Sequence, residues 1–206
     1  SAGFPVNIDE YTAAGVYVRS IAMPTAVAGA NKRLITSGSA NTEGQLSRSA
    51  DKRFLLVPGY DTFPDPARLS VNNAPSATIN RVIAIIGNDG IVNTSTALAD
   101  AYSANSFRAV ASTDGNDLWL SGTAAPATGT AGVRYAVRGA TTSSPVNSFS
   151  TVSNIRMVNI FNNQLYITTG SGAYKAIAAV GSGVPKDSAQ TVTVLPGMPN
   201  LSTATN

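Results

Sequence analysis

The sequence predicts an all-β chain, a β-propeller of four-stranded antiparallel blades with about three and a half blades present. Three observations carry that reading. A hairpin of two short apolar strands recurs along the chain, a second hairpin type alternates with it, and no segment shows a capped apolar stripe at helical spacing.

The recurring unit is clearest at Phe107–Gly122, FRAVASTDGNDLWLSG, where two strands flank an Asp/Gly/Asn turn. Upstream it returns as Ser49–Gly59, SADKRFLLVPG, with Asp51 opposite Asp114, Leu55 opposite Leu118 and Gly59 opposite Gly122. Downstream it returns as Ile155–Gly170, IRMVNIFNNQLYITTG, with Arg156 opposite Arg108 and Asn162–Asn163 in the turn. These inner strands carry consecutive apolar residues. A strand whose two faces both meet neighbouring sheets requires that pattern.

The outer hairpins alternate more and carry Ser and Thr. The first spans 8–23, with its turn at Ala14-Gly15, and its template returns at 83–98, where Ile8 matches Ile83 and Gly15 matches Gly90. Asn88-Asp89-Gly90 is a strong hairpin signal. In order the chain reads outer 8–23, inner 46–59, outer 81–98, inner 105–122, outer 133–148, inner 153–170 and outer 173–195. Grouped, these make one domain, 1–206, with a half blade at 1–24 and blades at about 46–98, 105–148 and 153–196. The inner turns lie 63 and then 48 residues apart, and the excess is an insertion, Tyr60–Ala77, expected to be a long surface loop. The half blade has no inner hairpin of its own here. Further blades, a second copy or another chain are therefore expected to complete the ring.

Composition narrows the function. The chain has 206 residues, 43% apolar and only 12% charged, so its polarity rests on hydroxyls and amides, as in many extracellular and cell-surface β proteins. It has no cysteine and no histidine, which removes Ser–His and Cys–His mechanisms and thiolate metal sites. The net charge of +3 is dispersed without a Lys/Arg run, so nucleic acid is not an expected partner. No apolar run has the length of a membrane span, and no phosphate-loop, dinucleotide or nucleophile-elbow motif implies a cofactor or a serine mechanism.

The segments SADK–RFLLVPGYD, INRVIAII–NDG–VNTSTAL, FRAVASTDGNDLWLSG–GVRYAV and RMVNIFNNQLYITTG together resemble secreted, Ser/Thr/Gly-rich bacterial-type β-propeller repeat proteins. The resemblance covers about Ile8 to Pro199. It implies a fold and carries over no catalytic residue. Members of that group are longer, which implies a partial propeller.

Candidate sites follow from the repeat. Arg81, Arg134 and Lys175 open the third strand of each unit, and Arg108 and Arg156 open the first. Rotation would set each group in an arc suited to uronate, sulfate or phosphate groups, against the plainer reading of strand-end cations. Asp61 and Asp65 lie on the insertion, the loop type that most often carries function. Leu56, Trp119 and Tyr166 share one position and read as core before they read as a sugar platform. The Asp/Asn-rich turns at 113–117 and 87–90 read as hairpin turns before they read as calcium loops. The expected function is a non-catalytic extracellular binding or structural module whose partner is a glycan or another protein. Its rivals are a polysaccharide lyase or glycoside hydrolase on the same scaffold, and a self-assembling surface or filament component.

Overall fold

The structure, a computed structural model, describes residues 3–38, 40–65, 67, 71–147, 152–170 and 174–198. Strand makes up 46% and helix 4%, as an all-β reading requires. β1 (Gly3–Pro5) precedes a hairpin of β2 (Asn7–Tyr11) and β3 (Tyr17–Ala22). The first large sheet contains β4 (Ile35–Ser37), β5 (Ser47–Arg48), β6 (Phe54–Tyr60), β7 (Arg81–Gly87) and β8 (Val92–Leu98). In it β6, β7 and β8 are antiparallel neighbours, while β4 and β5 share the other edge of β6. The second sheet is an antiparallel meander of β9 (Phe107–Ser112), β10 (Asp117–Gly122), β11 (Arg134–Val137) and β12 (Ser144–Pro145). The third repeats it with β13 (Ile155–Phe161), β14 (Gln164–Thr169), β15 (Ile177–Val180) and β16 (Val192–Val194).

Turn chemistry fixes the hairpins. Lys52, Gly115 and Asn163 hold one repeat position in the three inner turns, and all have left-handed backbone, at φ 67°, 78° and 57°. Asn162 and Asn163 are both left-handed, the conformation that a tight two-residue hairpin needs and that Asn tolerates. In the second inner turn Asp114 Oδ1 accepts the amides of Asn116 and Asp117, so this carboxylate holds the turn itself. Two outer turns share one geometry. Gly15 (φ 79°) donates to the Thr12 carbonyl while Thr12 donates to Val16, and Gly90 (φ 81°), Gly87 and Ile91 repeat the arrangement.

Alternating side chains send each strand into two cores. Val82, Ala84 and Ile86 of β7 meet Met23 and Leu34, with Ile8 and Ile21 of the hairpin packed against them. Ile83 and Ile85 of the same strand meet Phe107, Val110, Leu118 and Leu120 of the second sheet. Ala109, Ala111 and Trp119 of that sheet point the other way, into Val158, Leu165 and Ile167 of the third. The hairpin and the sheets therefore stack in series. Consecutive apolar residues follow, because each middle sheet is covered on both faces.

One expectation changes. The insertion after Tyr60 is not only surface loop: Val71, in a short 3-10 turn, is 1% exposed, and Ser76 is buried on the Ala99 carbonyl. It turns inward because its carbonyls surround a buried arginine. Ahead of the hairpin, β1 pairs with β4 in the first sheet (Gly3↔Ser37, Pro5↔Ile35). Chain 24–46, which shows no hairpin pattern, supplies that partner and buries Leu34 and Ile35. It then runs beside β9, where the amides of Gln45, Ala50 and Asp51 donate to the carbonyls of Arg108, Ser112 and Thr113.

Candidate functional site

Arg81 and Arg134 both open the third strand of their sheets, and both are buried. Arg81 donates to the carbonyls of Ile79, Asn72, Ala74, Tyr102 and Asn105 at 2.7–3.1 Å. Its guanidinium also lies 5.1 Å from the centre of the Tyr60 ring. Arg134 holds Ser143 and the Gly129 carbonyl and meets Asp100 at 3.3 Å. Each ties connecting loops to a strand end. Neither faces solvent. Lys175 is exposed and lies two residues before β15.

The first-strand arginines behave differently. Arg108 reaches across to Asn154 Oδ1 at 2.6 Å and the Ile155 carbonyl at 3.1 Å. Half-exposed Arg156 lies near enough to act on it electrostatically. The 63-residue offset between inner turns puts Gln45 in the same position as Arg108, and its side chain touches the Arg156 carbonyl at 3.5 Å. Gln45, Arg108 and Arg156, one repeat position in three units, thus meet one another. Burial, and then Arg156, lower the Arg108 guanidinium to about 10.

Glu43 was not signalled by any spacing, and it lies at this convergence. Both of its carboxylate oxygens are buried without a well-aligned hydrogen bond, although the Ser106 and Tyr60 hydroxyls lie beside it. Burial raises its pKa, while those hydroxyls, Arg81 and Arg108 work the other way. Burial, then the Glu43 charge, push the Tyr60 phenol far up. Phenol, carboxylate oxygens and guanidinium buried side by side give this cluster a structural character. Asp61 and Asp65 are not drawn into it. Asp61 pairs with Arg33 at 2.8 Å, and Asp65 bridges Gly3 through its backbone while its side chain accepts the Ala67 amide.

An open groove of about 410 Å³ lies elsewhere, between the β2–β3 hairpin and the turn end of the first sheet. Ile8, Ile21, Leu55 and Ile86 form an apolar floor, with Phe54 and the 57%-exposed Tyr11 as aromatic walls. Arg19, Arg48, Lys52 and Arg53 lie along it, against Asp9 and Glu10. Arg19 is paired with Glu10 and Arg53 with the neighbouring Asp51, each at 2.6 Å. Among the described residues no carboxylate pairs with Arg48 or Lys52, so the groove carries uncompensated positive charge. Sequence reasoning missed it because its walls come from distant segments.

Tyr135 bears on acid–base chemistry. Its phenol donates to Asp117 at 2.5 Å, and Asp117 also holds Lys186 at 2.5 Å. Burial, then that bond, raise the phenol, which is the opposite of what a tyrosine base needs. In comparisons with known protein families, curated proteins and solved structures nothing matches this chain, so the reading of its function rests on its own residues.

Proposed function

We propose that the chain is a propeller-type stack of four-stranded blades that works outside the cell or on its surface as a non-catalytic binding module, and that its groove takes an anionic glycan. The observation that carries this is the groove between hairpin and first sheet. It joins an apolar, aromatic floor to the uncompensated cations Arg48 and Lys52. Sugar rings present apolar C–H faces to aromatic side chains, and uronate or sulfate groups suit guanidinium and ammonium donors. The propeller reading is supported by sheets stacked in series and by Gln45, Arg108 and Arg156 meeting one another. A binding role is favoured over lyase or hydrolase chemistry because the Glu43 carboxylate oxygens and Tyr60 are buried and the Tyr135 phenol is raised.

Titration calorimetry with oligogalacturonate and a neutral oligosaccharide of equal length tests the reading. Binding of the acidic oligomer alone is expected, weakening with salt. Replacing Arg48 and Lys52 together by Ala should lower affinity about tenfold, since the two charge contacts supply roughly 1–2 kcal/mol between them. Equal binding of both oligomers, or affinity unchanged in the double variant, overturns it.

A further inference from the structure

The outward face of the third sheet is the repeat equivalent of two faces that the molecule covers with a sheet. Leu56, Trp119 and Tyr166 occupy one repeat position, on β6, β10 and β14. The second sheet covers Leu56 and the third covers Trp119, leaving each 0% exposed. Tyr166 has the same outlook, yet it opens onto a shallow groove of about 200 Å³ with Met157, Asn159, Phe161, Thr168 and Ile177. Phe161 is 60% exposed there and Ile177 39%, and the Phe161 and Tyr166 rings lie 6.4 Å apart. Among the described residues none lining this groove is charged.

We propose that this face is the interface of an isologous homodimer, in which two copies pack their third sheets against each other. The repeat supplies the first argument: at both equivalent faces the covering element is another β-sheet with its own apolar side chains. Charge supplies the second. A groove with uncharged lining meets its own copy across a two-fold axis without like-charge repulsion or burial of an unpaired ion there. The other end of the stack is a poorer partner. The β2–β3 hairpin exposes Asp9, Glu10 and Arg19, and closing it over the apolar face would desolvate those charges. The proposal is independent of the glycan reading, because the two sites share no residue.

The chain has no cysteine, so single introduced cysteines report on contacts between copies. Sedimentation of this 206-residue chain at tens of micromolar should give twice its 21.0 kDa mass. Tyr166→Glu and Phe161→Lys should each weaken the dimer at least tenfold while leaving the far-UV spectrum unchanged. Asn159→Cys, at the middle of the face, should oxidise to a covalent dimer, whereas Ser20→Cys on the hairpin should not. A wild-type monomer together with an uncrosslinked Asn159→Cys overturns the proposal. So does disulfide formation between Asn159→Cys and Ser20→Cys chains in a mixture, which would show head-to-tail packing.

Discussion

Gly115 and Gly15 separate backbone strain from packing. Both are left-handed, at φ 78° and 79°. A Cβ on Gly15 meets nothing within 4 Å, whereas one on Gly115 would lie 2.5 Å from the Phe54 ring. That ring is held between Arg53 and Arg138, at 5.5 and 5.3 Å, and gives way poorly. Gly15→Ala should therefore cost about 1 kcal/mol in denaturant unfolding, and Gly115→Ala about 2–4 kcal/mol because overpacking adds to strain. Equal costs would show that Phe54 swings aside. Glu43 sets a pH dependence of known sign. Burial raises its carboxyl above the ordinary 4.5, so the folded chain holds this proton more tightly than the unfolded one. The stability it contributes is full below the unfolded pKa and is lost as pH rises through the folded one. Glu43→Gln, which mimics the protonated group, should melt with the wild type near about pH 4 and above it at neutral pH. A variant that melts lower at neutral pH would show that attraction to Arg81 and Arg108 outweighs desolvation.

Hairpins were the legible elements, because strand pattern and turn residues agree locally at the clearest of them. Asn162–Asn163 and Asn88-Asp89-Gly90 announce left-handed turns by composition, whereas Lys52, at the repeat position of Gly115 and Asn163, is left-handed at φ 67° without a turn preference of its own. What stayed illegible depends on distant partners. β4 and β5 have three and two residues, too few to show a period, and are positioned by β6 and β9. The insertion after Tyr60 reads as loop because its inward turn depends on Arg81, whose own burial needs carbonyls from both that insertion and the connection at 102–105. The equivalence of Arg81 with Arg134, and of Arg108 with Arg156, was readable. Their surroundings were not, since a cation at a strand end looks the same in sequence whether water or five carbonyls receive it. The groove has the same origin, being assembled from a hairpin at 8–21, a segment at 46–55 and the strand end at 86–88.

Stacking in series makes stability depend on position in the molecule. Each sheet touches its neighbours, so a unit covered on both faces has two interfaces to lose and a terminal unit has one. Burial follows that order: every residue of β9 is buried, and six of the seven in β7, while β2 and β3 are exposed except at half-buried Ile8 and Ile21. The hairpin is joined to the first sheet through those two side chains and Val6, with the open groove beside them. Its amides at 8–10 and 19–21 should therefore exchange with deuterium through local opening, far faster than the amides of β7, β9 and β10, which should exchange only on global unfolding. Peptide-resolved exchange under native conditions reads this directly. A graded series is expected, with the middle sheets slowest, the third sheet intermediate and the hairpin fastest. If the proposed dimer forms, raising protein concentration should slow exchange in β13 and β14 and leave the hairpin unchanged, because one end of the stack is covered by the second copy. Hairpin amides as slow as those of β9 would mean that the stack opens as one cooperative body, and nearest-neighbour coupling would then be the wrong description of how these sheets hold together.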